Sequence, residues 1–179
     1  YISRFYGLNK VANYWESVLD INSYQTDRFS NKIISCLTDK KSIVTILGWS
    51  FKKDTNDSRE SASIYLAKNI LLNGFNIKIY DPRVSKTKII NDIKLAFKEE
   101  KMDTNSLIDQ IQIFDSAYEA IEYSNIVSVC TEWNEFIDID WIRTYKLMNK
   151  PPWVFDGRNI LDKKKLEQIG FKTFFIGQP

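Results

Sequence analysis

Histidine is absent from all 179 residues of the chain. That removes Ser-His and Cys-His nucleophile pairs and every His-ligated metal site, and no metal is expected. Catalysis by these residues alone would rest on Lys, Asp, Glu or Tyr. Two cysteines, Cys36 and Cys130, are too few for a disulfide framework, so a reducing cytoplasm is the expected compartment. Charge of one sign is also missing, because 25 Lys and Arg face 23 Asp and Glu and leave a net charge of +2. Nucleic-acid binding usually needs a strongly basic face, so no such partner is expected. No apolar run approaches the ~20 residues of a membrane span, and no membrane partner is expected. No basic segment followed by an apolar one marks a signal peptide after Tyr1. The chain opens without Met, as expected of a processed product or an excised piece. Repeats and low-complexity tracts are missing as well.

What is present is the composition of a globular protein, 44% hydrophobic and 14% aromatic. The length fits one well-packed domain with an appendage. Val11, Tyr14, Trp15, Val18 and Leu19 recur at helical spacing, and Phe29, Ile33, Ile34 and Leu37 continue the stripe. A long helical region from about Val11 to Leu37 is therefore expected, with a possible break at Asp20 to Ser23. One helix cannot bury such a stripe alone. It packs within the chain or, as Tyr14, Trp15 and Tyr24 suggest, at a subunit or domain interface.

From Ser42 onward apolar runs alternate with helical patterns. Expected strands are 43–47, 76–80, 111–114, 126–130, 153–155 and 171–176, and expected helices are 59–72, 117–123, 139–147 and 163–169. Residues 84–109 read as a polar excursion with short helical turns. Repeated βα units with apolar strands predict an α/β fold with a doubly wound, mostly parallel, Rossmann-like sheet, preceded by the N-terminal helical region. Two parts are expected, 1–38 helical and 39–179 the α/β domain.

Four segments at the carboxyl side of strands carry polar residues. The first, Gly48-Trp49-Ser50-Phe51-Lys52-Lys53-Asp54-Thr55-Asn56-Asp57-Ser58-Arg59-Glu60-Ser61, holds two lysines and an arginine suited to a phosphate-bearing ligand. With one Gly it is neither a dinucleotide fingerprint nor a Walker loop. Asp57 and Glu60 read as a helix cap and capping box, and Arg59, in the expected first turn, opposes the helix dipole unless an anion is present. Lys52 and Lys53 are phosphate ligands or a solvated pair. The second segment, Tyr80-Asp81-Pro82, offers an acid for a ribose hydroxyl or an ordinary strand-ending turn. The third is Cys130-Thr131-Glu132-Trp133, where Cys130 continues a buried strand and is read as inert; Glu132 faces a ligand or starts a helix. In the fourth, Phe155-Asp156-Gly157-Arg158-Asn159, Gly allows close backbone approach. Arg158 can there fork onto a carboxylate, a phosphate or a uracil-like edge, or be purely structural.

In order and spacing these four segments resemble the C-terminal UDP-binding domain of the UDP-glucose/GDP-mannose dehydrogenase family. Val11-Ala12-Asn13-Tyr14-Trp15 through Tyr24-Gln25 resembles the end of that family's central helical region. The resemblance implies an NAD-dependent enzyme that takes a nucleotide-sugar C6 alcohol through a thiohemiacetal and a thioester to an acid. It implies that Phe51, Lys52 and Arg158 bind the UDP-sugar, that Arg59 reaches NAD, and that the protein is a homo-oligomer. No catalytic residue is expected in this chain: neither Cys36 nor Cys130 matches the family's nucleophile, and the NAD-binding Rossmann domain would precede Tyr1. The third and fourth segments lean towards UDP-glucose, giving UDP-glucuronate with two NAD. UDP-N-acetylmannosamine or GDP-mannose as substrate, a non-catalytic nucleotide-sugar-binding module, and a scaffold with solvated loops are the alternatives. Trp49 and Asn56 stand where many relatives have Phe and Gly; Asn56 is expected to tolerate a left-handed backbone, and Trp49 to reshape the packing below.

Overall fold

Six short strands form one sheet: β1 (Ile43–Leu47), β2 (Asn76–Tyr80), β3 (Ile111–Ile113), β4 (Ile126–Val129), β5 (Trp153–Asp156) and β6 (Lys172–Phe175). Every pairing is parallel, in the order β3-β2-β1-β4-β5-β6. The computed structural model describes residues 1–98 and 105–178. The order is that of a doubly wound nucleotide-binding sheet, in which the chain reverses direction between β1 and β4.

Alternation along the strands sends side chains into two layers. Val44, Ile46, Ile77, Ile79, Ile126 and Phe155 join one buried cluster, while Leu47, Val127, Val129, Val154 and Phe175 join the other. A parallel sheet buried on both faces needs this apolar content throughout. The polar residue within β1, Thr45, is satisfied by donating from Oγ1 to the Ala120 carbonyl at 2.7 Å.

The helices are α1 (Ile2–Phe5), α2 (Asn9–Ser35), α3 (Ala62–Leu72), α4 (Lys86–Ala96), α5 (Asn105–Ile108), α6 (Ala117–Ile121), α7 (Asn134–Ile137), α8 (Trp141–Leu147) and α9 (Lys163–Ile169). Helix α2 runs unbroken through Asp20 to Ser23, contrary to the expected interruption. Asp20, Asn22 and Ser23 can compete for backbone hydrogen bonds, but all four residues are exposed and none is Gly or Pro, so the ladder continues. Its C-terminal half docks on the sheet: Phe29 and Ile33 enter the first cluster, and Asn69 of α3 donates to Asp27 and Ser30. The N-terminal half leaves Val11, Tyr14, Trp15 and Leu19 exposed, and Tyr24 just past the midpoint is exposed as well.

Two further expectations are corrected. Helix α3 starts at Ala62, three residues later than expected, because Glu60 is left-handed (φ 56°) and Ser61 is the cap, accepting from Ser63 N. Arg59 therefore precedes the helix. The polar excursion contains a regular helix, α4, capped by Ser85 accepting from Lys88 N, with Ile89, Ile93 and the following Phe97 buried at four-residue spacing. Residues 99–104 of that excursion lie outside the described residues.

Candidate functional site

The carboxyl ends of β1 and β4 border the reversal point, where sheets of this order bind ligands. Three loops converge there. The loop after β1 begins at Gly48 (φ 93°), and a Cβ added there would lie 2.5 Å from Thr131 Cβ and 2.7 Å from Thr131 N in the loop after β4. Glycine thus lets the two loops touch. Thr131 Oγ1 donates to the Ser50 carbonyl at 2.7 Å and Ser63 Oγ to the Gly48 carbonyl at 2.7 Å, fixing the loop from both sides.

Two carboxylates hold the loop from beneath. Asp81, at the end of β2, accepts through Oδ2 from Trp49 N (2.6 Å), Ser50 N (3.0 Å), Ser50 Oγ (3.3 Å) and Trp133 Nε1 (3.2 Å). Its Oδ1 accepts from Arg83 N (2.8 Å) and Val84 N (2.9 Å). With both oxygens committed, Asp81 is the anchor of a turn and has no lone pair left for a ribose. Asp92 of α4 accepts from Trp49 Nε1 (3.0 Å) and Ser58 Oγ (2.5 Å) and pairs with Lys88. Trp49 is fully buried, so the extra ring volume at this position is absorbed in the core and its indole N–H is satisfied.

Above this floor the chain forms a lobe, residues 51–61, closed by Phe51 N donating to the Asp57 carbonyl at 2.8 Å. Its left-handed non-glycine residues are Asp54 (φ 63°) and Glu60 (φ 56°), so the left-handed tolerance of Asn56 is not called on. Asp57 does not cap α3 as expected. Its carboxylate accepts instead from Arg59 N, Nε and Nη2, and this pairing holds the Asp57 carboxyl at about 2. Glu60, likewise, accepts from Tyr65 Oη at 2.6 Å, which pushes the phenol up to about 12. Phe51 is 52% exposed, and Lys52 is exposed with no hydrogen bond or ion pair among the described residues.

Arg158 ties the three loops together. The β5 end is set by buried Asp156, which accepts from Arg158 N, Ile160 N and Leu161 N at 2.8–2.9 Å. Gly157 fits under Val129 O, which a Cβ would approach to 3.2 Å. From this turn Arg158 donates through Nε to the Cys130 carbonyl (2.7 Å) and through Nη2 to the Phe51 carbonyl (3.1 Å). Glu132 Oε2 lies 3.4 Å from Nε, within ion-pair range but not in hydrogen-bonding geometry. Cys130 is buried, and burial pushes its thiol above its ordinary value, in keeping with an inert residue.

The structure therefore brings Arg158 against the loop that carries Phe51 and Lys52, at the carboxyl ends of β1, β4 and β5, and puts Arg59 on the same lobe as Phe51. Residues 45–163 match the UDP-glucose/GDP-mannose dehydrogenase family, UDP binding domain. The chain belongs to this family. It is 41% identical over 182 residues to UDP-glucose 6-dehydrogenase of Drosophila melanogaster, covering 99% of this chain and 37% of the relative. UDP-glucose 6-dehydrogenase 4 of Arabidopsis thaliana is 40% identical, covering 100% of this chain and 39% of the relative. The chain thus spans under two fifths of the length of these curated relatives. The fold is also that of NDP-N-acetyl-D-galactosaminuronic acid dehydrogenase from Methanosarcina mazei Go1, at TM-score 0.70 and 21% identity over 89% of this chain and 30% of the other.

The parts that Asp57 and Asp92 play in shaping this loop were not visible in the sequence. Asp57 sits where a cap is expected, and only the left-handed Glu60 moves the helix start beyond it. Asp92 lies in a segment whose polarity hid the period of α4.

Proposed function

We propose that the chain is the C-terminal part of an NAD-dependent UDP-glucose 6-dehydrogenase that oxidises UDP-glucose to UDP-glucuronate with two NAD, and that residues 39–179 hold the UDP-sugar. The observation that carries this reading is the bond from Arg158 Nη2 to the Phe51 carbonyl, which brings a guanidinium to the loop that bears the exposed residues Phe51 and Lys52. Two cations match a diphosphate without leaving charge unpaired. Phe51 supplies an apolar contact for the nucleotide sugar. Arg59, 83% exposed in its side chain, suits a dinucleotide reaching the lobe from outside. NAD, when bound, accepts a hydride in each of the two oxidations. Chain residues bind and orient; the catalytic cysteine and the NAD-binding domain belong to residues outside this chain, which alone is expected to be inactive.

Residues 1–38 serve as the end of a central helical region, and their exposed aromatic stripe supports self-association of the whole protein. Among the described residues no helix is long and apolar enough to cross a membrane; the enzyme is proposed to work in the cytoplasm. The test is NADH formation by the full-length protein with UDP-glucose, UDP-N-acetylmannosamine and GDP-mannose offered separately. About two NADH per UDP-glucose, with the others inert, is expected for a four-electron oxidation. Turnover of another sugar would change the substrate and keep the family. No NADH from any of them, with UDP-glucose still bound, would leave a binding module.

A further inference from the structure

Arg59 carries no structural burden that would need a fork, yet it is held by one. Asp57 Oδ1 accepts from Arg59 N and Nε, each at 3.0 Å, and Oδ2 accepts from Nε at 3.2 Å and Nη2 at 2.7 Å. The carboxylate thus occupies the Nε–Nη2 edge of the guanidinium and leaves the Nη1–Nη2 end facing solvent. A guanidinium has five donors in a fixed plane, so filling one edge fixes the direction of the other. The main chain of Asp57 works on the opposite side, where its carbonyl accepts from Phe51 N at 2.8 Å. Its own N–H donates to Thr55 Oγ1 at 3.1 Å, and left-handed Asp54 and Glu60 flank the turn. Left-handed backbone at non-glycine residues costs about 1–3 kcal/mol each and persists where surrounding bonds enforce it.

We propose that Asp57 is a positioning residue: its carboxylate aims the free edge of Arg59 at an anionic or amide group of the dinucleotide, while its carbonyl fixes Phe51 on the nucleotide-sugar side. This rests on the role proposed above for Arg59. One residue then sets the spacing of two ligand contacts on a single lobe. The fork is exposed, and exposed pairs add little to stability, so its removal leaves the protein folded.

The experiment is a double-mutant cycle in the full-length protein with Arg59→Ala, Asp57→Asn and both. It reads the Kd for NAD by calorimetry, KM for NAD and for UDP-glucose, and Tm. Asp57→Asn keeps the Phe51 bond to the main-chain carbonyl and removes only the charge. It is expected to raise the NAD Kd by about three- to tenfold, the scale of one charge-assisted hydrogen bond. UDP-glucose KM and Tm should stay near those of the parent, and the substitution should add nothing once Arg59 is Ala. Equal penalties in both backgrounds would overturn the proposal, as would tighter NAD binding by Asp57→Asn, which would make Asp57 a competitor of the ligand. An Arg59→Ala effect with none from Asp57→Asn removes Asp57 alone. No effect of Arg59→Ala on NAD removes Arg59 from the cofactor site and the proposal with it.

Discussion

Arg158 makes contacts that no other side chain type can copy. Its Nε and Nη2 reach carbonyls on two separate loops, those of Cys130 and Phe51, from a turn set by Asp156. Removing it leaves two carbonyls without donors and takes away the cation proposed for the UDP-sugar. Arg158→Ala in the full-length protein is expected to lower kcat/KM for UDP-glucose by about 1–3 kcal/mol, the loss of a charged hydrogen bond. Arg158→Lys should recover little, because an ammonium on a flexible stem cannot bridge both carbonyls in one plane. An unchanged kcat/KM in the Ala variant would take Arg158 out of the site. The role proposed for Asp57 is of another kind, electrostatic and exposed. Its carboxyl lies at about 2 rather than 3.8, chiefly through the Arg59 hydrogen bonds. A depressed acid contributes fully above its unfolded value and loses that contribution as pH falls through the folded one. The fork is therefore intact throughout neutral and mildly acidic solution. The NAD Kd should be flat between about pH 5 and 8 as far as this pair is concerned; a rise traced to Asp57 in that window would show a pair weaker than its geometry.

The β1 loop shows how an element's end is decided by partners far along the chain. Gly48 and Thr131 lie 83 positions apart (131 − 48) and are packed so closely that a methyl at Gly48 would strike Thr131 at 2.5 Å. Gly48→Ala adds a left-handed penalty to that clash, together about 2–4 kcal/mol. A lowered urea midpoint with unchanged slope is the expected reading, and a variant as stable as the parent would mean the loops can separate freely. The position of the glycine was legible from sequence, because a Gly ending an apolar strand and feeding a helix marks such a crevice. The strands too were legible: runs such as Ser42 to Leu47 and Ile126 to Cys130 are apolar on both faces, as only a doubly covered parallel sheet requires. Their expected and observed bounds differ by at most one residue at either end. Helix α4 was not legible, because its apolar positions Ile89 and Ile93, with Phe97 just beyond, are diluted by Lys86, Lys88, Asn91 and Lys94, and by Asp92, whose carboxylate turns inward to Trp49 and Ser58. The start of α3 was hidden for another reason. Asp57 and Glu60 have capping-box chemistry at the right spacing, but Ser58 Oγ donates to Asp92, far along the chain, and left-handed Glu60 passes the cap to Ser61.

At the scale of the whole molecule, α2 is out of proportion to the domain it joins. Its 27 residues extend about 40 Å at helical rise. Only its second half reaches the core, through Phe29 and Ile33. The first half presents Tyr14 at 64%, Trp15 at 60% and Leu19 at 65% exposure, spaced to form one stripe with Val11. Apolar stripes of this kind mark contact surfaces, and aromatic residues dominate the centres of such contacts. A second copy of the same helix is the occupant proposed, since a stripe on a straight helix is self-complementary about a two-fold axis. Trp15→Glu combined with Leu19→Glu should lower the mass of the full-length protein in light scattering by at least half and leave the thermal transition of the α/β core in place. Unchanged mass with a lower Tm would instead mean that the stripe is covered by another part of the same longer chain. The placement of the stripe also sets what dissociation would do to the crevice. Phe29, at the other end of the same helix, lies 3.5 Å from where a Gly157 Cβ would stand and packs edge-on against Phe155, just beneath Arg158. A dimer contact on the first half of α2, as proposed, would brace the floor of the crevice through the same helix. The double variant should accordingly raise KM for UDP-glucose more than KM for NAD, and equal changes in both would mean that assembly and crevice are independent.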